Sequence, residues 1–186
     1  ISEKPQKLFQ VDHHIGVAAA GYIPDARGQV DDTRFFSQSS KLVYDEPIDV
    51  EAVAKHIADQ FQRFTQYAGA RPMGVALIIG GVDNNGNSLF LTDPSGTYVA
   101  YNAVAIGANS DIVTEFLKKE YKPGMTIDEG TTLAIAAIYL ASEIKKGIEH
   151  VKICQIRSDT KKFVTLSDDQ IIKLAQSAAE KYPAEQ

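Results

Sequence analysis

The sequence predicts an α+β fold in which helix layers flank a largely antiparallel sheet, and three observations carry that expectation. The apolar runs GVALIIGGV, SLFLTD and TYVAYNAVAIG are parted by the turn formers Asp83-Asn84-Asn85-Gly86 and Asp93-Pro94-Ser95-Gly96. Short strands joined by tight turns form a meander. Val50, Val53, Ala54, Ile57, Phe61 and Phe64 recur at helical spacing, making one apolar stripe that must face a core. Thr126 and Glu129 stand at the spacing of a capping box and open a further helix. At 186 residues the chain fits a single domain with a substantial core.

Taken in order, KLFQVD and HIGVAAAG read as strands, the second ending at Gly21. Pro24 suits the first turn of a helix running from Asp25 to about Tyr44. The striped helix begins after Pro47 with Asp49 as N-cap candidate and ends by Gly69. GVALIIGGV, continuously apolar, predicts a strand buried on both faces. After the meander, residues 109–121 and 127–146 read as two helices. The second is apolar nearly all round from Leu133 to Ala141, so it should lie between layers or against another subunit. EHVKICQIR and KKFVTL predict a last strand pair, and Ser167 caps a closing helix to about Lys181.

Charge and composition exclude several function classes. A net charge of −5 with pI near 5.4 gives no basic footprint for nucleic acid. The longest apolar run, Gly74 to Val82, is far too short to span a bilayer, so no membrane association is expected. A lone cysteine, Cys154, excludes an internal disulfide framework and suits a reducing, cytoplasmic setting; in a strand-like run it reads as a buried thiol.

Candidate chemistry is sparse. Ser95 sits between a carboxylate and a glycine, but a nucleophile elbow needs glycines on both flanks and a helix behind it, whereas Pro94 precedes this serine and a strand follows. Asp, Pro and Gly at the first, second and fourth places match a type I β-turn. His13 and His14 adjoin Asp12; adjacent residues in a strand point to opposite faces, so the two imidazoles cannot share one ion, no second ligand cluster appears, and no metal site is expected. His56 and His150 read as solvated surface, and the pairs Asp31-Asp32 and Asp168-Asp169 as solvated or capping charge. No phosphate loop or dinucleotide fingerprint appears, so no cofactor is expected. Gly130-Thr131-Thr132 has the Gly-Thr junction of self-processing threonine hydrolases, yet such a threonine must open a strand, and here it falls in the first turns of a helix.

The stretches QKLFQVDHHIGVAAAG, PDAR (24–27), YDEPIDVE, FTQYAGARPMGVALIIGGVD, LFLTDPSGTYVAYNAVAIG and DIVTEFLKKEY together resemble the α-type subunits of the 20S proteasome, most closely the archaeal ones. The likeness covers nearly the whole chain, and RPMG followed by an apolar strand and then TDPSG is its most specific part. The resemblance implies a four-layer αββα sandwich of the N-terminal nucleophile hydrolase type. It also implies seven-membered α rings stacked on β rings, in which α subunits lack the catalytic threonine and serve as scaffold, gate and docking surface. The family's chains carry a gating segment, a helix and a strand pair ahead of the stretch matching QKLFQVDHH, so roughly the first quarter of the family chain is expected to be missing here.

By the same resemblance, the family's docking lysine falls on Lys7, which would receive the C-terminal carboxylate of a regulatory ATPase, with Gly21 and position 22 lining the same pocket. The resemblance implies an apolar pocket-lining residue at position 22; this chain has Tyr22, bulkier and bearing a hydroxyl. Two other readings stand beside this one. An active β-type threonine hydrolase of the same fold would need a free N-terminal threonine, and a stand-alone α/β binding module would be monomeric at full length.

Overall fold

The computed structural model describes residues 6–141 and 151–183, which fall into two compact units. The first comprises residues up to Asn102 together with Ile156–Phe163, the second Ala103–Gln155 with Val164 onward.

Five strands form the sheet of the first unit: β1 (Leu8–Asp12), β2 (Ile15–Gly21), β3 (Val75–Asp83), β4 (Gly86–Thr92) and β5 (Tyr98–Ala100). They lie in sequence order and every neighbouring pair is antiparallel. Two helices, α1 (Ile23–Tyr44) and α2 (Val50–Gln66), connect β2 to β3 and pack on the sheet. The α2 stripe is where the sequence puts it: Val50, Val53, Ala54, Ile57 and Phe61 are all at most 1% exposed, while Phe64 lies at the margin. Their core partners are Phe9, Ile15, Val17, Val75, Leu77, Ile79 and Phe90 from the strands. Full burial of a side chain such as Phe61 contributes on the order of 1.5–3 kcal/mol. Helix α1 turns a more polar face inward, burying Gln29, Thr33 and Ser37 beside Ala26 and Val30.

Three local expectations change. β3 buries Val75, Leu77 and Ile79 but leaves Ala76, Ile78 and Gly80 half-buried, so only one of its faces is fully covered within the chain. The third meander strand is short: β5 stops at Ala100, and 101–109 is irregular up to helix α3 (Ser110–Glu120). Asp49 holds the N-cap backbone position of α2 without a side-chain bond, and the capping carboxylate comes from β3 instead. Asp83 Oδ2 accepts the Val50 N–H at 2.8 Å while its Oδ1 takes Asn85 N–H at 2.7 Å, so one buried side chain fastens a helix start and a hairpin turn together.

In the second unit, helix α4 (Ile127–Ala141) packs against α3 and against α5 (Asp168–Lys181). Both expected caps form. Glu129 accepts from Thr126 N–H at 2.8 Å and Thr126 Oγ1 accepts from Glu129 N–H at 3.3 Å. Ser167 and Gln170 make the same reciprocal pair at α5. Ile135 and Ala136 of α4 meet Ala175 and Ala178 of α5, ringed by Phe116, Tyr139, Leu174 and Tyr182. Elsewhere on α4, Ile138 is 39% and Leu140 52% exposed, so part of its apolar surface is not covered by the described residues. The continuation of this helix to residue 146 lies outside the described residues, as does His150. Strands β6 (Cys154–Ile156) and β7 (Phe163–Thr165) form the expected last pair.

Candidate functional site

Antiparallel register brings the expected docking residues to one end of the β1–β2 pair. Leu8 lies opposite Ala18, and the Lys7 carbonyl accepts the Ala19 N–H at 2.9 Å, so Lys7 stands two residues short of Gly21 on the neighbouring strand. Gly21 has φ +118°, and a Cβ there would sit 2.4 Å from the Gly74 carbonyl oxygen; only glycine fits. That close approach lets Tyr22 N–H donate to the same oxygen at 2.7 Å as the chain turns into α1. Lys7 is exposed, and Tyr22 is 55% exposed.

A buttress stands behind Tyr22. The Arg71 guanidinium lies 5.2 Å from its ring centroid and forms two hydrogen bonds to Asp25, at 2.6 and 2.9 Å. Asp25 Oδ2 also accepts Gly74 N–H at 2.9 Å. The hydrogen bonds from Arg71 hold the Asp25 carboxyl below the usual carboxylate range, outweighing the opposing effect of burial, with the Gly74 amide adding to them. The RPMG stretch is thus the strut between α1 and β3. Beside it a cleft of about 560 Å³ opens, lined by Pro24, Asp25, Gln29, Phe64, Arg71 and Met73 among others. Sequence reading missed Asp25 and Arg71 as partners; their separation along the chain leaves no local signal.

The hydroxyls singled out in the sequence bond close by in the chain, to a turn carboxylate or to helix backbone. Gly96 N–H bonds the Asp93 carbonyl at 3.0 Å, closing the expected β-turn. Ser95 donates its hydroxyl to Asp93 Oδ1, which also accepts Ser95 N–H at 2.8 Å, while Thr97 Oγ1 donates to Asp93 Oδ2 at 2.8 Å. Burial raises the Asp93 pKa, but these bonds outweigh it and hold the carboxyl low; a carboxylate fixed this way organises a turn. Thr131 and Thr132 lie inside α4, each hydroxyl donating at 2.7 Å to the carbonyl four residues back, Ile127 and Asp128. Burial pushes the Cys154 thiol pKa up, against a contact with Thr165 Oγ1 at 3.6 Å.

Two expectations about histidine are overturned. His56 stacks flat on Phe36, with ring centroids 3.9 Å apart, and its Nε2 lies 2.7 Å from Asp32; it ties α2 to α1 instead of facing bulk water. His13 and His14 form the two-residue turn between β1 and β2, after a register shift between Gln10 and Asp12. Strand alternation therefore does not apply to them. Their rings lie 4.5 Å apart, and both Nδ1 atoms face Asp12 Oδ1, at 2.9 Å from His13 and 3.8 Å from His14. Asp12 is 9% exposed; burial raises its pKa, but bonds from the Ser37 hydroxyl and the His13 amide and ring more than offset that.

Comparison with known proteins joins these features to a family. Residues 1–156 match the family model described as Proteasome subunit. Similar proteins include the proteasome subunit alpha of Methanothermobacter thermautotrophicus, 44% identical over 166 residues, which is 89% of this chain and 67% of that one. That of Methanosarcina acetivorans is 40% identical over 181 residues, 97% of this chain and 73% of the relative. That of Pyrobaculum aerophilum is 41% identical over 173 residues, 93% and 71% respectively. The chain belongs to the proteasome subunit family, and the relatives it resembles are α subunits. Its helices and antiparallel sheet are those of the α+β fold of the N-terminal nucleophile hydrolase type.

Proposed function

We propose that this chain is a non-catalytic α-ring subunit of a 20S-type proteasome, assembling with other α subunits and with β subunits, and that Lys7, Gly21 and Tyr22 form its part of a docking pocket for the C-terminal tails of a regulatory ATPase. The observation that carries the docking assignment is the register, which sets Lys7 and Tyr22 at the same end of one strand pair beside a glycine whose conformation and contacts admit no side chain. An exposed ammonium there suits a terminal carboxylate, a pair worth about 0–1 kcal/mol while it stays exposed and about 1.5–3 kcal/mol once the tail desolvates it. Tyr22, held against Arg71, would meet the penultimate residues of the tail with a flat ring where a smaller apolar side chain is expected, favouring a tail with an aromatic or small residue.

Assembly is supported by apolar side chains that the chain leaves uncovered. Phe35, Leu42, Val43 and Tyr44 of α1 are each at least 70% exposed, and Leu140 of α4 is 52% exposed. The non-catalytic reading is supported by where the candidate hydroxyls point, into the Asp93 turn and into the α4 backbone.

Lys7→Ala tests the docking role. It should abolish ATPase-stimulated protein degradation by the reconstituted particle while leaving unstimulated peptide hydrolysis and ring assembly intact. Unchanged stimulation would remove Lys7 from the pocket.

A further inference from the structure

The turn between β1 and β2 gathers three side chains of metal-ligating type around one point. Asp12 Oδ1, an Nδ1 or Nε2 atom of His13 and one of His14 all lie within 4.8 Å of one another. The Asp12 Oδ1 separations are 2.9 Å to His13 Nδ1 and 3.8 Å to His14 Nδ1. An ion bound tetrahedrally at about 2.0–2.1 Å spaces its ligands by about 3.3–3.4 Å, between those two values.

A second, independent observation selects these atoms. His14 is 1% exposed, and its Nε2 lies 2.8 Å from the Ile48 carbonyl oxygen. A carbonyl only accepts, so Nε2 carries the hydrogen in this contact, and Nδ1 is the ring atom left to act as a ligand. That Nδ1 is buried and has no hydrogen-bond partner. It is aimed at the Asp12 carboxylate, leaving two electron-rich atoms facing each other in a buried space. Such an arrangement calls for positive charge between them. A backbone carbonyl fixing the far nitrogen of a ligating imidazole is also the usual outer support of a metal-bound histidine.

The supports extend around the point. The Ser37 hydroxyl donates to Asp12 Oδ2 and the His13 amide donates to Oδ1 at 2.7 Å, orienting the carboxylate. The two turn carbonyls are pinned as well, His13 O by Phe163 N–H at 2.7 Å and His14 O by Val82 N–H at 3.1 Å. His13, with its side chain 48% exposed, is the ligand free to rotate and admit an ion.

We infer that Asp12, His13 and His14 form a binding site for one divalent transition-metal ion of the zinc class, with Asp12 Oδ1 and the imidazole nitrogens of His13 and His14 as protein ligands and one coordination position open to solvent. Two imidazoles with one carboxylate suit Zn²⁺ or Co²⁺ and do not suit Mg²⁺ or Ca²⁺, which take oxygen donors. Binding at Nδ1 takes the His13 tautomer with its hydrogen on Nε2, exchanged through solvent, in place of the Nδ1–H that donates to Asp12, and it fastens the β1–β2 turn to the buried His14–Ile48 contact.

The test uses the full chain, freed of metal by chelation and titrated with Zn²⁺ by calorimetry and with Co²⁺ by visible absorption. One equivalent of each should bind, Co²⁺ giving the intense d–d bands of a four-coordinate ion, with excess Mg²⁺ failing to compete. His13→Ala should weaken binding by about tenfold or more, with circular dichroism confirming that the metal-free variant is folded, while His56→Ala should leave binding unchanged. No saturable binding of either ion, or binding that survives His13→Ala undiminished, would overturn the site. So would ¹⁵N chemical shifts showing a proton on His14 Nδ1 that Zn²⁺ does not displace, since a proton would then supply the charge.

Discussion

Replacing Gly96 by alanine separates two costs that usually arrive together. Gly96 closes the Asp93 turn with φ +89°, and a Cβ built on it would lie 2.5 Å from Gln62 Cβ and 2.7 Å from the Gln62 Cα and N. Carbon atoms in contact sit about 3.5–4.0 Å apart, so the overlap is about an ångström, and the obstacle is largely helix backbone that cannot rotate aside. Gly86, at the β3–β4 turn, has φ +109° with nothing within 4 Å of its would-be Cβ. Gly86→Ala therefore suffers only the conformational cost, about 1–2 kcal/mol. Gly96→Ala adds overpacking of about 1–3 kcal/mol as α2 or the turn shifts. With a urea dependence of about 1–3 kcal/mol per molar, the two midpoints should differ by about 1 M, read by circular dichroism with unchanged slopes. Coincident midpoints would refute the contact between the Asp93 turn and α2.

Ser95→Ala removes one exposed hydrogen bond to Asp93 and leaves the Ser95 amide bond in place, so the same urea assay should show a loss of less than about 1 kcal/mol; a larger loss would mean the hydroxyl does more than dress the turn. Asp25 gives a pH prediction with a definite sign. Its pKa is lowered in the folded state, chiefly by Arg71, so its stabilisation is present above the unfolded carboxylate value near 3.9 and is lost as pH falls through the lower folded value. Asp25→Asn should therefore unfold with a flatter acid limb than the parent, measured as urea midpoint against pH. The loss at neutral pH should be small, because Arg71 is 60% exposed and its charge is screened; parallel acid limbs would count against the ion pair.

Much of the fold was legible because its signals are local. The α2 stripe, the Thr126–Glu129 capping box, the Ser167 cap and the two hairpin turns are each written within a few residues, and the structure has them where the sequence does. What escaped depends on neighbours distant in sequence. Asp83 takes over the cap of α2 from Asp49, and Arg71 reaches Asp25, because the fold returns β3 beside the starts of both helices. The histidine pair was misread for a geometric reason: alternation holds along a strand, and residues 13 and 14 are the turn. The shortness of β5 was hidden as well, since TYVAYNAVAIG is apolar well past the residue where pairing with β4 ends. For the docking residues, the strand register was implicit in the HIGVAAAG pattern, whereas no local pattern marks Lys7, which the sequence reading reached only through the family likeness.

The sheet's order also sets a folding problem. Strands β3 and β4 are joined by a two-residue turn and can zip within microseconds, but β2 must find β3 across residues 22–74, the whole of both helices. Closing so long a loop is entropically costly until α1 and α2 have formed and shortened it. The Asp83–Val50 and Arg71–Asp25 bonds both span that closure, joining the returning strand to the starts of the two helices. Refolding should therefore be limited by docking of the helix pair onto the β3–β4 hairpin, and the Gly74 amide, held by Asp25, should gain protection from hydrogen exchange later than the amides of the hairpin itself.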